Sequence, residues 1–110
     1  MQTVLIPHVH TKYDPISKQR VATIDLTEAQ EYGELEVVTS GDVDIVDAME
    51  TLYRRIFEGG FEPTDYILAI GDPLLIAAAL SYAAEKLGGP VAVLRWHRSA
   101  KHYETVEFEL

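Results

Sequence analysis

Two short segments hold the residue types that bind anions or metal ions. Ser40-Gly41-Asp42 and Ile70-Gly71-Asp72-Pro73 each join an apolar, strand-like run to a helix-like one. If the preceding strands are parallel, both tips lie at the carboxyl edge of one sheet, where open α/β sheets take their ligands. Helix starts also present free amides to anions. Ser40, Gly41, Asp42, Gly71 and Asp72 are therefore the candidate ligand-binding residues, with Ser40 as a cap or an anion contact. A variant of this reading brings Asp42 and Asp72 together around Mg²⁺, a hard cation that takes carboxylate oxygens. The simpler reading needs no ligand: each Gly makes a tight turn and each Asp caps a helix. Such an Asp would repel a phosphate. Neither GxGxxG nor GxxxxGK[ST] is present.

His8 and His10 share a face if the strand runs through both. Two imidazoles at that spacing begin a metal site, to which His97 and His102 could add. Ordinary strand-end histidines are the plainer account, and no metal is assigned. The four serines (Ser17, Ser40, Ser81 and Ser99) lie outside any G-x-S-x-G motif. The chain has no cysteine, which removes thiolate nucleophiles, thiolate zinc sites and disulfides.

The elements that must position these residues follow from periodicity and caps. Thr3–Val9 is rich in strand formers, and Tyr13-Asp14-Pro15 marks a turn. Arg20–Leu26 alternates as a second strand. Thr27–Tyr32 suits one helical turn, capped by Thr27 and stopped by Gly33. Glu34–Thr39 predicts a third strand. A helix opens at Ser40-Gly41-Asp42 with Ile45, Met49, Leu52 and Ile56 as its apolar stripe. Asp42, Asp44 and Asp47 crowd its start, Arg54 and Arg55 its end, and Gly59-Gly60 stops it. Asp65–Ile70 predicts a buried strand. Asp72 and Pro73 start a second helix that ends near Leu87 before Gly88-Gly89-Pro90. Pro90–Trp96 and Tyr103–Leu110 predict a hairpin turning through Arg98–Lys101.

The expected architecture is one α/β domain spanning residues 1–110. It has a mixed, mostly parallel sheet of about five to six strands, two long helices in a Rossmann-like two- or three-layer arrangement, and a C-terminal hairpin.

The second helix is apolar without a break from Leu74 to Leu80. A helix apolar all round must be covered all round. One expectation is a homo-oligomer with Leu75, Ala79 and Tyr82 at or near the interface. The other places this helix between the sheet and the first helix within one chain. Trp96, flanked by Arg95, His97 and Arg98, is either an interface residue or the lid on one end of the core.

The 110 residues carry a net charge of −9. Residues 21–53 hold nine acids and no Lys or Arg, and account for the whole excess. Such a chain is a poor binder of duplex nucleic acid or anionic membrane. If the charge serves a protein partner, residues 25–50 are where that partner docks. Met1–Val9 lacks a basic n-region, and no apolar run approaches the ~20 residues of a membrane helix. A cytoplasmic protein, in the host cytoplasm if viral, is the default.

From Glu34 onward the chain resembles a group of small uncharacterised proteins encoded by tailed bacteriophages. The likeness rests on Gly71-Asp72-Pro73 before the Ala/Leu-rich helix, on Leu94-Arg95-Trp96, and on Tyr103-x-x-Val106. It implies a viral origin and no catalytic residues. The expected function is a non-enzymatic interaction or assembly module. The alternative is a small nucleotide- or anion-binding Rossmann-like domain, a reading that extends to a Mg²⁺-dependent enzyme using Asp42 and Asp72.

Overall fold

The computed structural model describes residues 2–109, so the Leu110 position of the last strand lies outside the described residues. The elements are β1 (Thr3–Val9), β2 (Thr11–Asp14), β3 (Gln19–Ala22), a 3-10 helix (Thr27–Tyr32), β4 (Glu34–Ser40), α1 (Ile45–Phe57), β5 (Tyr66–Leu68), α2 (Pro73–Leu87), β6 (Val91–His97) and β7 (His102–Phe108). Five strands form one sheet in the order β4-β1-β5-β6-β7. All neighbours are parallel except the β6–β7 hairpin. β1 lies between β4 and β5: the chain moves from it to β4 on one side, then crosses back to β5 on the other.

Alternation along the strands sends side chains to two cores. Leu5, Ile67, Val91 and Val93 meet Leu52 and Ile56 of α1 and Leu75 and Ala79 of α2. Val4, Ile6, Leu68, Leu94 and Tyr103 meet Ala29 of the 3-10 helix on the opposite face. The two long helices thus cover one face and the short helix covers the other.

α2 follows its local signals closely. The Asp72 carboxylate accepts from Leu74 N at 2.8 Å, Pro73 sits in the first turn, and Gly88 ends the helix in the left-handed conformation. Its all-apolar sequence is covered largely within the chain. Leu75, Ala78, Ala79, Ala83 and Ala84 are buried, and Tyr82 packs edge-on against Tyr53 and Phe57 of α1. Of the residues expected at an interface, Leu75 and Ala79 are fully buried core residues of the chain itself, and Leu74 is the large exposed apolar side chain of the helix. Small alanines let the sheet and α1 close in together; fully burying Leu75 alone stabilises the fold by about 2 kcal/mol.

Three other expectations change. The predicted turn at Tyr13 lies partly in a strand: β2 and β3 form a separate two-stranded hairpin projecting from the carboxyl end of β1. The predicted strand Arg20–Leu26 stops at Ala22. Beyond it, Asp25 Oδ1 accepts from Thr27 N and Thr27 Oγ1, which bends the chain into the 3-10 helix. This short helix has no side-chain cap of its own, so Thr27 is bonded by Asp25 rather than capping. Finally, α1 starts at Ile45, and its cap is Asp44 rather than Asp42. The Asp44 carboxylate accepts from Val46 N at 3.0 Å and Asp47 N at 3.1 Å.

Replacing Asp44 by alanine is expected to cost about 1 kcal/mol, the usual loss of an N-cap. Asp42→Ala should stay within about 0.5 kcal/mol of the parent, as exposed substitutions do. Urea denaturation of the two variants checks the assignment, and equal losses would overturn it.

Two carboxylates tie neighbouring elements together. Glu36 of β4 and Arg55 of α1 form a two-pronged ion pair, with Arg55 Nη2 at 2.9 Å from Oε1, and Arg55 Nη1 also donates to Gly60 O. The hydrogen bond to Glu36 holds the guanidinium above its ordinary pKa. Asp65 is buried and accepts from Thr3 N and Glu62 N, pinning the start of β1 beside β5.

Candidate functional site

The carboxyl ends of β4, β1, β5 and β6 lie along one edge of the sheet, and the antiparallel β7 starts there. The two Gly-Asp tips are brought to either side of β1, as parallel strands require. What joins them is His8, near the end of that strand. It is 2% exposed, its Nε2 donates to Gly41 O at 2.8 Å, and its Nδ1 accepts from Asp72 N at 3.1 Å. These partners define the neutral ring with its proton on Nε2.

Each candidate residue can now be placed. Ser40 is exposed and pairs with Val9 in the ladder. Gly41 donates its amide to Val9 O and gives its carbonyl to His8. Asp42 is exposed and beside an open groove of about 410 Å³ that Thr11, Arg20, Ser40 and Gly41 also line. Arg20 is held there by hydrogen bonds from Nε and Nη2 to Thr11. Gly71 packs against the backbone of His8, and Asp72 caps α2.

The arrangement does not suit an anion at either helix start. Asp44 occupies two amides of α1, Asp72 occupies the amide of Leu74, and His8 occupies that of Asp72. One oxygen of Asp72, the residue expected to share Mg²⁺ with Asp42, is engaged as a cap. Among the described residues no three His, Asp or Glu side chains are grouped to hold a metal ion. The histidines do meet in pairs, His8 with His10 at 4.8 Å between ring centroids and His97 with His102 at 5.9 Å. His8 has no ring nitrogen left for a metal.

A second concavity lies at the same edge on the face of the 3-10 helix. It measures about 250 Å³ and is lined by Ile24, Asp25, Glu28, Trp96 and Tyr103. Trp96 and Tyr103 are register partners across the β6–β7 hairpin, with rings 5.0 Å apart and 69° between planes. Trp96 is half-buried and packs on the core of that face, so it closes the core and walls the pocket at once. Tyr103 is 5% exposed. Burial, and then the charges of Glu28 and Asp25, push its hydroxyl above the ordinary tyrosine pKa. The sequence singles out Trp96 but does not group Tyr103, Asp25 or Glu28 with it, because they are distant along the chain.

The fold and this edge define a small mixed α/β protein with a five-stranded, mostly parallel sheet and a C-terminal hairpin. The chain belongs to the family described as Phage Pam3 gp32-like protein, whose model matches residues 2–110. The match takes in residues 2–33 as well, beyond the segment whose motifs carry the phage likeness. The protein is thus phage-encoded. No curated protein and no solved structure matches the chain. Among the described residues no helix is long and apolar enough to cross a membrane.

Proposed function

We propose that this phage protein is a non-enzymatic interaction module, and that its binding surface is the carboxyl edge of the sheet with the acidic segment beside it. The observation that carries this reading is the state of the two β-α tips. The strand order and the crossovers to both faces support a Rossmann-like reading of the sheet, in which a ligand would enter beside β1. That place is taken by His8, and the helix amides around it are engaged by Asp44, Asp72 and His8 itself.

The same edge offers apolar side chains that a partner would cover. Tyr13 and Ile16 on the β2–β3 hairpin are 54% and 93% exposed. Val46 and Leu74, in the first turns of α1 and α2, are 68% and 63% exposed. Contiguous exposed apolar surface marks interaction sites, and a partner seated on this edge would join these four side chains into one covered patch. The nine acids of residues 21–53 favour a basic partner. A second copy of the chain is another protein such a surface can meet, and light scattering at micromolar concentration separates the two cases.

The test is affinity capture from phage-infected cells, with the captured protein then purified and its binding remeasured. The Ile16→Glu, Val46→Glu, Leu74→Glu variant should fold as the parent does and lose the partner at least about tenfold, roughly 1.4 kcal/mol. Undiminished binding by that variant would overturn the proposal. So would saturable thermal stabilisation of the parent by a nucleotide with Mg²⁺.

A further inference from the structure

The pocket between the 3-10 helix and the β6–β7 hairpin has an unusual chemical makeup. One part of its lining is aromatic, from Trp96 and Tyr103, and another is anionic, from Asp25 and Glu28. Tyr103 is 5% exposed, yet its hydroxyl makes no hydrogen bond among the described residues. It is not sealed in the core either, because no buried side-chain oxygen is left unsatisfied among them. The hydroxyl therefore reaches accessible space, and Tyr103 lines the pocket. Glu28 makes no hydrogen bond or ion pair among the described residues, and Asp25 uses one oxygen, Oδ1, on Thr27. Two carboxylates thus flank an unpartnered hydroxyl with no paired base beside them.

This lining repels anions and suits a cation with flat apolar faces. A guanidinium stacks on a tryptophan, donates through a rigid fork to carboxylates, and sheds water more easily than an ammonium. Its remaining N–H groups can donate to the Tyr103 oxygen. We propose that this pocket receives an arginine side chain of the protein partner, stacked on Trp96 and hydrogen-bonded to Asp25 and Glu28. The proposal rests on the interaction reading above and names the partner's anchoring chemistry. Ile24, at the pocket rim and 37% exposed, would cover the arginine stem.

Trp96 is the sole tryptophan and reports directly on its own pocket. The full chain is titrated with N-acetyl-arginine amide, with the lysine and citrulline amides as comparators. Citrulline keeps the shape and loses the charge. The arginine amide should change Trp96 fluorescence saturably with a dissociation constant of about 1–10 mM, the range of about 3–4 kcal/mol that one side chain supplies. The lysine amide should bind several-fold more weakly and the citrulline amide not at all. In the double variant Asp25→Asn, Glu28→Gln the arginine response should fall at least about tenfold. The unfolding midpoint should stay unchanged, since the amide oxygen introduced by Asp25→Asn still accepts from Thr27. No saturation, an equal response to citrulline, or an unchanged response in the variant would each overturn the pocket assignment. The capture variant at Ile16, Val46 and Leu74 leaves this pocket intact. Partner capture without arginine binding therefore refutes the pocket alone, and arginine binding without a partner refutes the interaction reading alone.

Discussion

Gly71→Ala will destabilise the domain by at least about 3 kcal/mol, combining left-handed backbone strain with an overpacked contact. Gly71 has φ +101°, where L side chains are strained. Its added Cβ would also lie 2.2 Å from His8 O, 2.8 Å from His8 C and 2.8 Å from His8 Cβ. Those atoms belong to a buried strand with β4 on one side and β5 on the other, so they cannot step aside cheaply. Gly60→Ala is the matched comparison. Gly60 has φ +84°, but nothing lies within 4 Å of its added Cβ. It should lose only about 1 kcal/mol, from backbone strain alone. The difference between the two urea midpoints measures the close approach of the α2 tip to β1. Equal losses would show that backbone conformation, not that approach, makes glycine necessary at position 71.

What the sequence makes legible are the features whose cause is local. The bounds of α2 follow from Asp72, Pro73 and Gly88, each of which acts on its own neighbours. The C-terminal hairpin follows from alternation in β7 and the polar turn before it. The cap of α1 is harder to read, because Asp42, Asp44 and Asp47 are all suitable residues at suitable spacing. What selects Asp44 is that β4 runs to Ser40 and Gly41 then turns at φ +69°, so two more residues pass before helical bonds begin. The β2–β3 hairpin hides for a different reason. Its alternation is that of an exposed ribbon, with no buried face to set it apart from a strand of the main sheet.

The features with long-range causes stay hidden. Nothing near Asp25 and Glu28 announces Trp96 and Tyr103. The two groups meet because the connection from β1 to β4 passes over the face that β6 and β7 also present. The apolar run of α2 suggests a subunit face, because a sequence does not say how much of a helix its own chain will cover. Alanines at 78, 79, 83 and 84 are what let the sheet and α1 cover so much of it. The expected tip residues are at the right edge, but the residue that organises them reads, from sequence alone, as a metal ligand or a plain strand-end histidine.

That residue is the subject of the second large effect: His8→Ala should destabilise the protein by about 3–5 kcal/mol, from two orphaned backbone groups and a cavity. The Gly41 carbonyl would lose the donor at 2.8 Å and the Asp72 amide would lose the acceptor at 3.1 Å, both part-buried beside β1. His8→Phe separates the two causes. It refills the space but pairs neither group, so it should still lose about 2–3 kcal/mol. Hydrogen exchange at the Asp72 amide should quicken in both variants, by more than the global loss of stability requires. A His8→Phe protein as stable as the parent, with Asp72 exchange unchanged, would show that His8 only fills space. The Gly71 and His8 effects should not add, because both act at one contact. A displaced α2 tip in Gly71→Ala has already strained the His8–Asp72 bond, so His8→Ala should cost less on that background than in the parent. A coupling of at least about 1 kcal/mol in the double-variant cycle is expected. It would identify the β1 end and the α2 start as a single built unit.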